Sequence, residues 1–200
     1  MPRSSRAACG CDERRARIEW GAHRPAAPRE RTRTMSMMAP LTGIDLFKTL
    51  HAVAIAGWAT IVTINNVQTF AATTSTVGRT MSMALLKQDP PVDTPLLRRA
   101  TASRALHRAA LAIIVLLQAF TAIAMWGGVR LLLATAPPHA AALPWLDAGA
   151  AGFAACALVL LLGGLWYGYW IRQEGLQLTH IALVVWSIAA YLLFHFDTTT

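Results

Sequence analysis

The sequence predicts an all-α, polytopic membrane protein: four transmembrane helices in a bundle, with a partly helical long first loop. Three observations predict it. The 200 residues are 55% hydrophobic and only 14% charged, a balance too apolar for a soluble domain of this size. Three segments long enough to cross about 30 Å of hydrocarbon at 1.5 Å per residue contain no Asp, Glu, Lys or Arg. Aromatic residues gather at segment ends, where interfacial belts belong.

Residues 1–38 read as a disordered basic tail or an over-called start. They carry nine Arg against Asp12, Glu13, Glu19 and Glu30, and so hold most of the chain's +8 charge. They have no helical or strand periodicity, and translation from Met35, Met37 or Met38 would remove most of them. Cys9 and Cys11 sit in this tail and Cys156 in an apolar run, so the three cysteines form no disulfide framework and no metal site. Nucleic-acid binding by the tail is not favoured.

Residues 39–200 form the four-helix transmembrane domain. The first span, about 44–64, is interrupted early by Asp45, Lys48 and His51. Lys48 can snorkel to the headgroups with Asp45 one turn away. The first loop, Val67 to Arg108, has structure of its own. Thr94 before Pro95 is an N-cap followed by Pro at the first helical position, which predicts a basic amphipathic helix from Pro95 to His107 lying at phospholipid headgroups.

The second span, about 109–129, and the third, about 148–171, are free of charge. Trp126 and Trp145 flank the loop between them; Trp166, Tyr167, Tyr169 and Trp170 crowd the end of the third. Gly164 and Gly168 make a small-xxx-small pair suited to close helix approach, for a partner helix or for packing inside the bundle. A short turn near Arg172 to Gly175 sets the fourth span, about 176–196, antiparallel to the third.

Four spans put both termini on one side. That side holds the nine tail Arg with Lys48 and Arg130, eleven cations; the other holds Arg79, Lys87, Arg98, Arg99, Arg104, Arg108 and Arg172, seven. The count predicts cytoplasmic termini in a bacterial cytoplasmic (inner) membrane, and reverses if the tail is absent.

Several short motifs then carry a resemblance. Asn65-Asn66, Val77 to Met83 (VGRTMSM), Arg99-Ala100 with Ser103 and Ala105-Leu106-His107, and Gly163-Gly164-Leu165-Trp166-Tyr167 occur in order across about residues 44–196. In these the chain resembles the bacterial predicted small integral membrane proteins grouped as domain of unknown function 2165. The resemblance implies four spans, a long first loop and no established biochemical role. Members commonly carry Glu where this chain has Gln118 and Leu165, so a proton relay on those carboxylates does not transfer.

Polar side chains at membrane depth face inward and are the place to look for function. His107, Gln118 and Thr121 share one face of span two. His180, Ser187 and Tyr191 align on span four, and His51, Asn65 and the adjoining Asn66 mark span one. The set reads as an intramembrane hydrogen-bond seam, with Gln118 expected to pair with Ser187 near the bilayer centre. A haem b held by two histidines is the sharper alternative, but His107 against His180, and His51 against His195, are mismatched in depth by roughly 9 Å at 1.5 Å per residue.

No phosphate loop, zinc-spaced His/Glu helix or nucleophile elbow is visible, and no catalytic residue is assigned. Beyond the lipid bilayer, the partners to consider are a membrane protein or a second copy of this chain. The functional classes are an accessory or structural subunit of a membrane assembly, a small transporter or ligand-binding membrane protein, and a haem electron carrier. No cofactor is expected in the first two.

Overall fold

A computed structural model describes residues 43–134 and 138–196; the readings of the tail, with Cys9 and Cys11, lie outside them. Among the described residues there is no strand. The helices are α1 (Gly43–Gln68), α2 (Phe70–Met81), α3 (Arg104–Ala134), α4 (Pro138–Trp166) and α5 (Glu174–Phe194). Four of them, α1, α3, α4 and α5, are long and apolar enough to cross a membrane.

The first crossing departs from its expected bounds. The backbone bonds Thr69 N to Asn65 O (2.9 Å) and Thr73 N to Thr69 O (2.9 Å) carry α1 into α2 with hardly a break. No Asp, Glu, Lys or Arg occurs from Thr49 to Gly78. The many threonines in this stretch are no obstacle, because Thr60, Thr63, Thr69 and Thr74 return their hydroxyls to the carbonyl four residues back at 2.7 Å. Asn65-Asn66, taken as the end of a span, therefore lies inside a helical path.

That path runs antiparallel to α3. Trp126 Nε1 donates to Thr60 Oγ1 (3.1 Å), Asn66 Nδ2 to Gln118 Oε1 (2.9 Å), and Gly78 lies against the His107 ring. Gln118 is near the middle of α3, so Asn66 stands level with the centre of the bundle. The α4 helix packs along α3 through glycines: a Cβ on Gly128 would meet the Leu146 side chain, and one on Gly149 the Met125 side chain. In turn α5 packs chiefly on α4.

The core combines small and aromatic residues. Ala52, Ile55, Ala56, Met125, Leu146, Phe153, Ala190 and Phe194 are fully buried. Phe153 of α4 meets Trp58 of α1 (5.0 Å between centroids) and Trp186 of α5 (5.2 Å, edge-on). At the same end of α1, Lys48 is buried and donates to the Phe196 carbonyl (2.8 Å), placing a cation at the C-terminus of α5, where the helix dipole favours it. Outward, Leu116, Ile123, Leu178 and Val185 are exposed, an apolar exterior fit for lipid.

The first connection is residues 82–103 rather than 67–108. It holds two short 3-10 helices, Ala84–Lys87 and Pro95–Arg99. The expected N-cap is present, with Thr94 Oγ1 accepting from Leu96 N (3.4 Å) and Pro95 following. The expected helix to His107 is not: Ala100 turns extended, Thr101 N bonds to Met81 O (2.8 Å), and α3 starts at Arg104. The connection folds back on the bundle instead of lying flat. Arg99 stacks over Trp166 at 4.4 Å from the ring centre and Arg172 donates to the Pro90 carbonyl.

Candidate functional site

Between α2, α3, α4 and α5, at the end capped by that connection, lies a partly open cavity of about 430 Å³. Its wall is mostly apolar, with Leu111 and Ile114 of α3 and Val159 and Leu160 of α4. Asn66 and Gln118 stand at one part of the wall, Tyr169 and His180 at another, and Thr73, Thr76 and Thr80 along α2. The space is open on one side, so it is a cleft in the bundle rather than an enclosed void.

Gln118 accepts from Asn66 of α1, and Cys156 of α4, a buried free thiol, lies near it. The expected partner Ser187 is elsewhere: its hydroxyl closes on the Val184 carbonyl (2.7 Å) of its own helix. The reason is register. The α1–α2 path continues past residue 64 and brings an amide level with Gln118, whereas α5 leans on α4.

Gln118→Leu should lower the stability of the bundle by about 1 kcal/mol by stranding Asn66. Adding Asn66→Leu should restore most of it, because removal of both partners is close to neutral. Unfolding in mixed micelles would measure both variants. Equal losses in the single and double variants would count against the pair.

The second polar group rests on a turn. The α4 helix ends at Trp166, Gly168 adopts a left-handed φ of 64°, and Tyr169 folds back under Gly164. Gly164 and Gly168 therefore do not form a helix-packing pair: one leaves room for the Tyr169 ring and the other makes the turn. Tyr169 is buried and stacks on His180 (5.6 Å, 21°), with its hydroxyl 3.3 Å from His180 Nδ1. Burial raises the Tyr169 phenol above its ordinary value, so the hydroxyl keeps its proton.

The remaining seam residues do not converge on this cavity. His107 Nε2 bonds the Thr101 carbonyl (2.9 Å), fastening the connection. Thr121 is buried and turns to the Leu117 carbonyl (2.8 Å), and Asn65 is exposed. At the opposite end His51 Nε2 accepts from Trp186 Nε1 (3.1 Å). Tyr191 is half-exposed, packed on His195, whose Nε2 lies 3.4 Å from Asp147 Oδ1. Among the described residues no cluster of three His, Cys, Asp or Glu is placed to hold a metal.

Sequence reasoning missed Tyr169 as a site residue and the α2 threonines altogether. The available signal was the uncharged run from Thr49 to Gly78, which shows that the helix continues past the asparagines.

The architecture is that of a multi-pass integral membrane protein. A family model described as predicted small integral membrane protein, domain of unknown function 2165, matches residues 44–197, and the chain belongs to that family. No curated protein and no solved structure matches.

Proposed function

We propose that this protein is a membrane-embedded binding protein that takes a small molecule into the cavity between α2, α3, α4 and α5. The cavity itself carries the reading: about 430 Å³ falls in the range of ligand pockets, ~300–1,000 Å³, and apolar walls with a few polar groups are their usual make-up. A structural hydrogen-bond seam needs no such space. The accessory-subunit reading rests on the apolar exterior, which lipid covers as well as a partner would.

Gly163 offers a direct test. It lines the cavity, and a Cβ added there meets nothing within 4 Å, so Gly163→Leu fills the space without a clash at its first atom. Solvent extraction of the purified protein, followed by mass spectrometry, is expected to release a bound small molecule from the parent chain and little from the variant. Equal yields from both would overturn the proposal.

We further propose the bacterial cytoplasmic membrane as its location, with both termini cytoplasmic, supported by the count of eleven cations against seven. A C-terminal alkaline phosphatase fusion should be inactive; an active fusion reverses the orientation.

A further inference from the structure

The polar groups of the cavity constrain what enters it. No Asp, Glu, Lys or Arg lines it. A charged ligand would leave water and lipid headgroups for a site with no ionised carboxylate or basic side chain to pair with it, which is strongly unfavourable. A plain hydrocarbon would leave the polar groups facing it without partners.

Those groups retain hydrogen-bonding capacity. The bond to Gln118 uses one of the two Asn66 amide hydrogens and leaves Asn66 Oδ1 an acceptor at the wall. His180 Nδ1 and the Tyr169 hydroxyl share one hydrogen bond, and the imidazole Nε2 is then a donor if the hydroxyl donates and an acceptor if Nδ1 does, so either a carbonyl or a hydroxyl can meet it. Apolar side chains, Leu111, Ile114 and Leu160 among them, fill the wall beside the two points.

Resting on the binding reading above, we propose that the ligand is an uncharged, membrane-soluble molecule with a carbonyl or hydroxyl oxygen received by His180; a second oxygen, where the molecule has one, faces the Asn66–Gln118 pair. Its body is of the order of a twelve-carbon chain or a substituted ring, matching the cavity of about 430 Å³. Two sources share this chemistry: a quinone or quinol head and a neutral acylglycerol.

The test adds defined probes to the purified full chain in detergent and counts bound adducts by native mass spectrometry. The probes are dodecanol, dodecanoate, dodecylammonium, dodecane, a decyl-substituted benzoquinone and monododecanoylglycerol. Dodecanol is expected to bind at least tenfold more tightly than the two ions and dodecane. His180→Phe keeps the ring stacked on Tyr169 and should weaken dodecanol roughly tenfold while leaving dodecane unchanged.

Preference for the benzoquinone or for the acylglycerol identifies the source, and either supports the class. Dodecanoate, dodecylammonium or dodecane binding as well as dodecanol overturns the class while the cavity remains a binding site. If no probe binds the parent chain, or if Gly163→Leu binds them all equally well, the binding reading itself fails.

Discussion

Phe153→Ala should lower the stability of the bundle by about 3 kcal/mol, measured as a shift in its unfolding by dodecyl sulfate in mixed micelles. Phe153 is fully buried and touches both Trp58 of α1 and Trp186 of α5, which also meet each other edge-on at 6.4 Å. The aromatic triad ties α4 to both helices, beside the direct α1–α5 bonds of Lys48 to the Phe196 carbonyl and of Trp186 to His51. In water a buried Phe→Ala costs about 3–5 kcal/mol, part of it transfer to solvent. Lipid removes most of the transfer part, which puts the expectation at the low end; lost dispersion and two aromatic pairs remain. Phe153→Leu, keeping most of the volume, should cost under about 1.5 kcal/mol. A loss below 1 kcal/mol for the alanine variant would show that the ring does not hold the three helices together.

Two adjacent glycines should respond in opposite directions. At Gly164 a Cβ would stand 2.5 Å from Tyr169 Cε2, and the ring can make room only by giving up its stack on His180 and moving into the cavity. Gly164→Ala should therefore cost about 1–3 kcal/mol despite the better helix propensity of Ala. At Gly163 the same methyl meets nothing within 4 Å, and Gly163→Ala should gain up to about 1 kcal/mol. The unfolding curves of the two variants should bracket that of the parent chain. If Gly164→Ala proves as stable as Gly163→Ala, Tyr169 does not occupy the position that closes the cavity.

The limits of sequence reading follow from where tertiary contacts intervene. Spans two and four were legible because charge is absent from 109–129 and 176–196, and length with hydropathy settles such segments; the third was expected at 148–171 but α4 runs from Pro138 to Trp166, taking Trp145 and Asp147 into the helix and leaving Tyr169 to Ile171 in a turn. The first crossing was displaced because Asn65, Asn66 and Gln68 resemble a polar end, whereas pairing of Asn66 with Gln118 makes that polarity internal. Gly164 and Gly168 matched a helix-packing pattern, but the left-handed turn at Gly168 interrupts it. The cavity was not legible at all. It depends on α2 following α1 along α3 and on Tyr169 folding beneath Gly164, neither of which has a periodic signature.

The bond from Lys48 to the Phe196 carbonyl has a consequence for the order of assembly. The donor is among the first residues of α1 and the acceptor follows the last helix, 148 positions later. During synthesis the first three crossings must enter the bilayer before this bond exists, so the early bundle stays open along one side. Arrival of α5 then brings Trp186 to His51 and the Phe196 carbonyl to Lys48 in a single event. The final crossing acts as a latch, and chains stalled before it should be the ones exposed to membrane proteases.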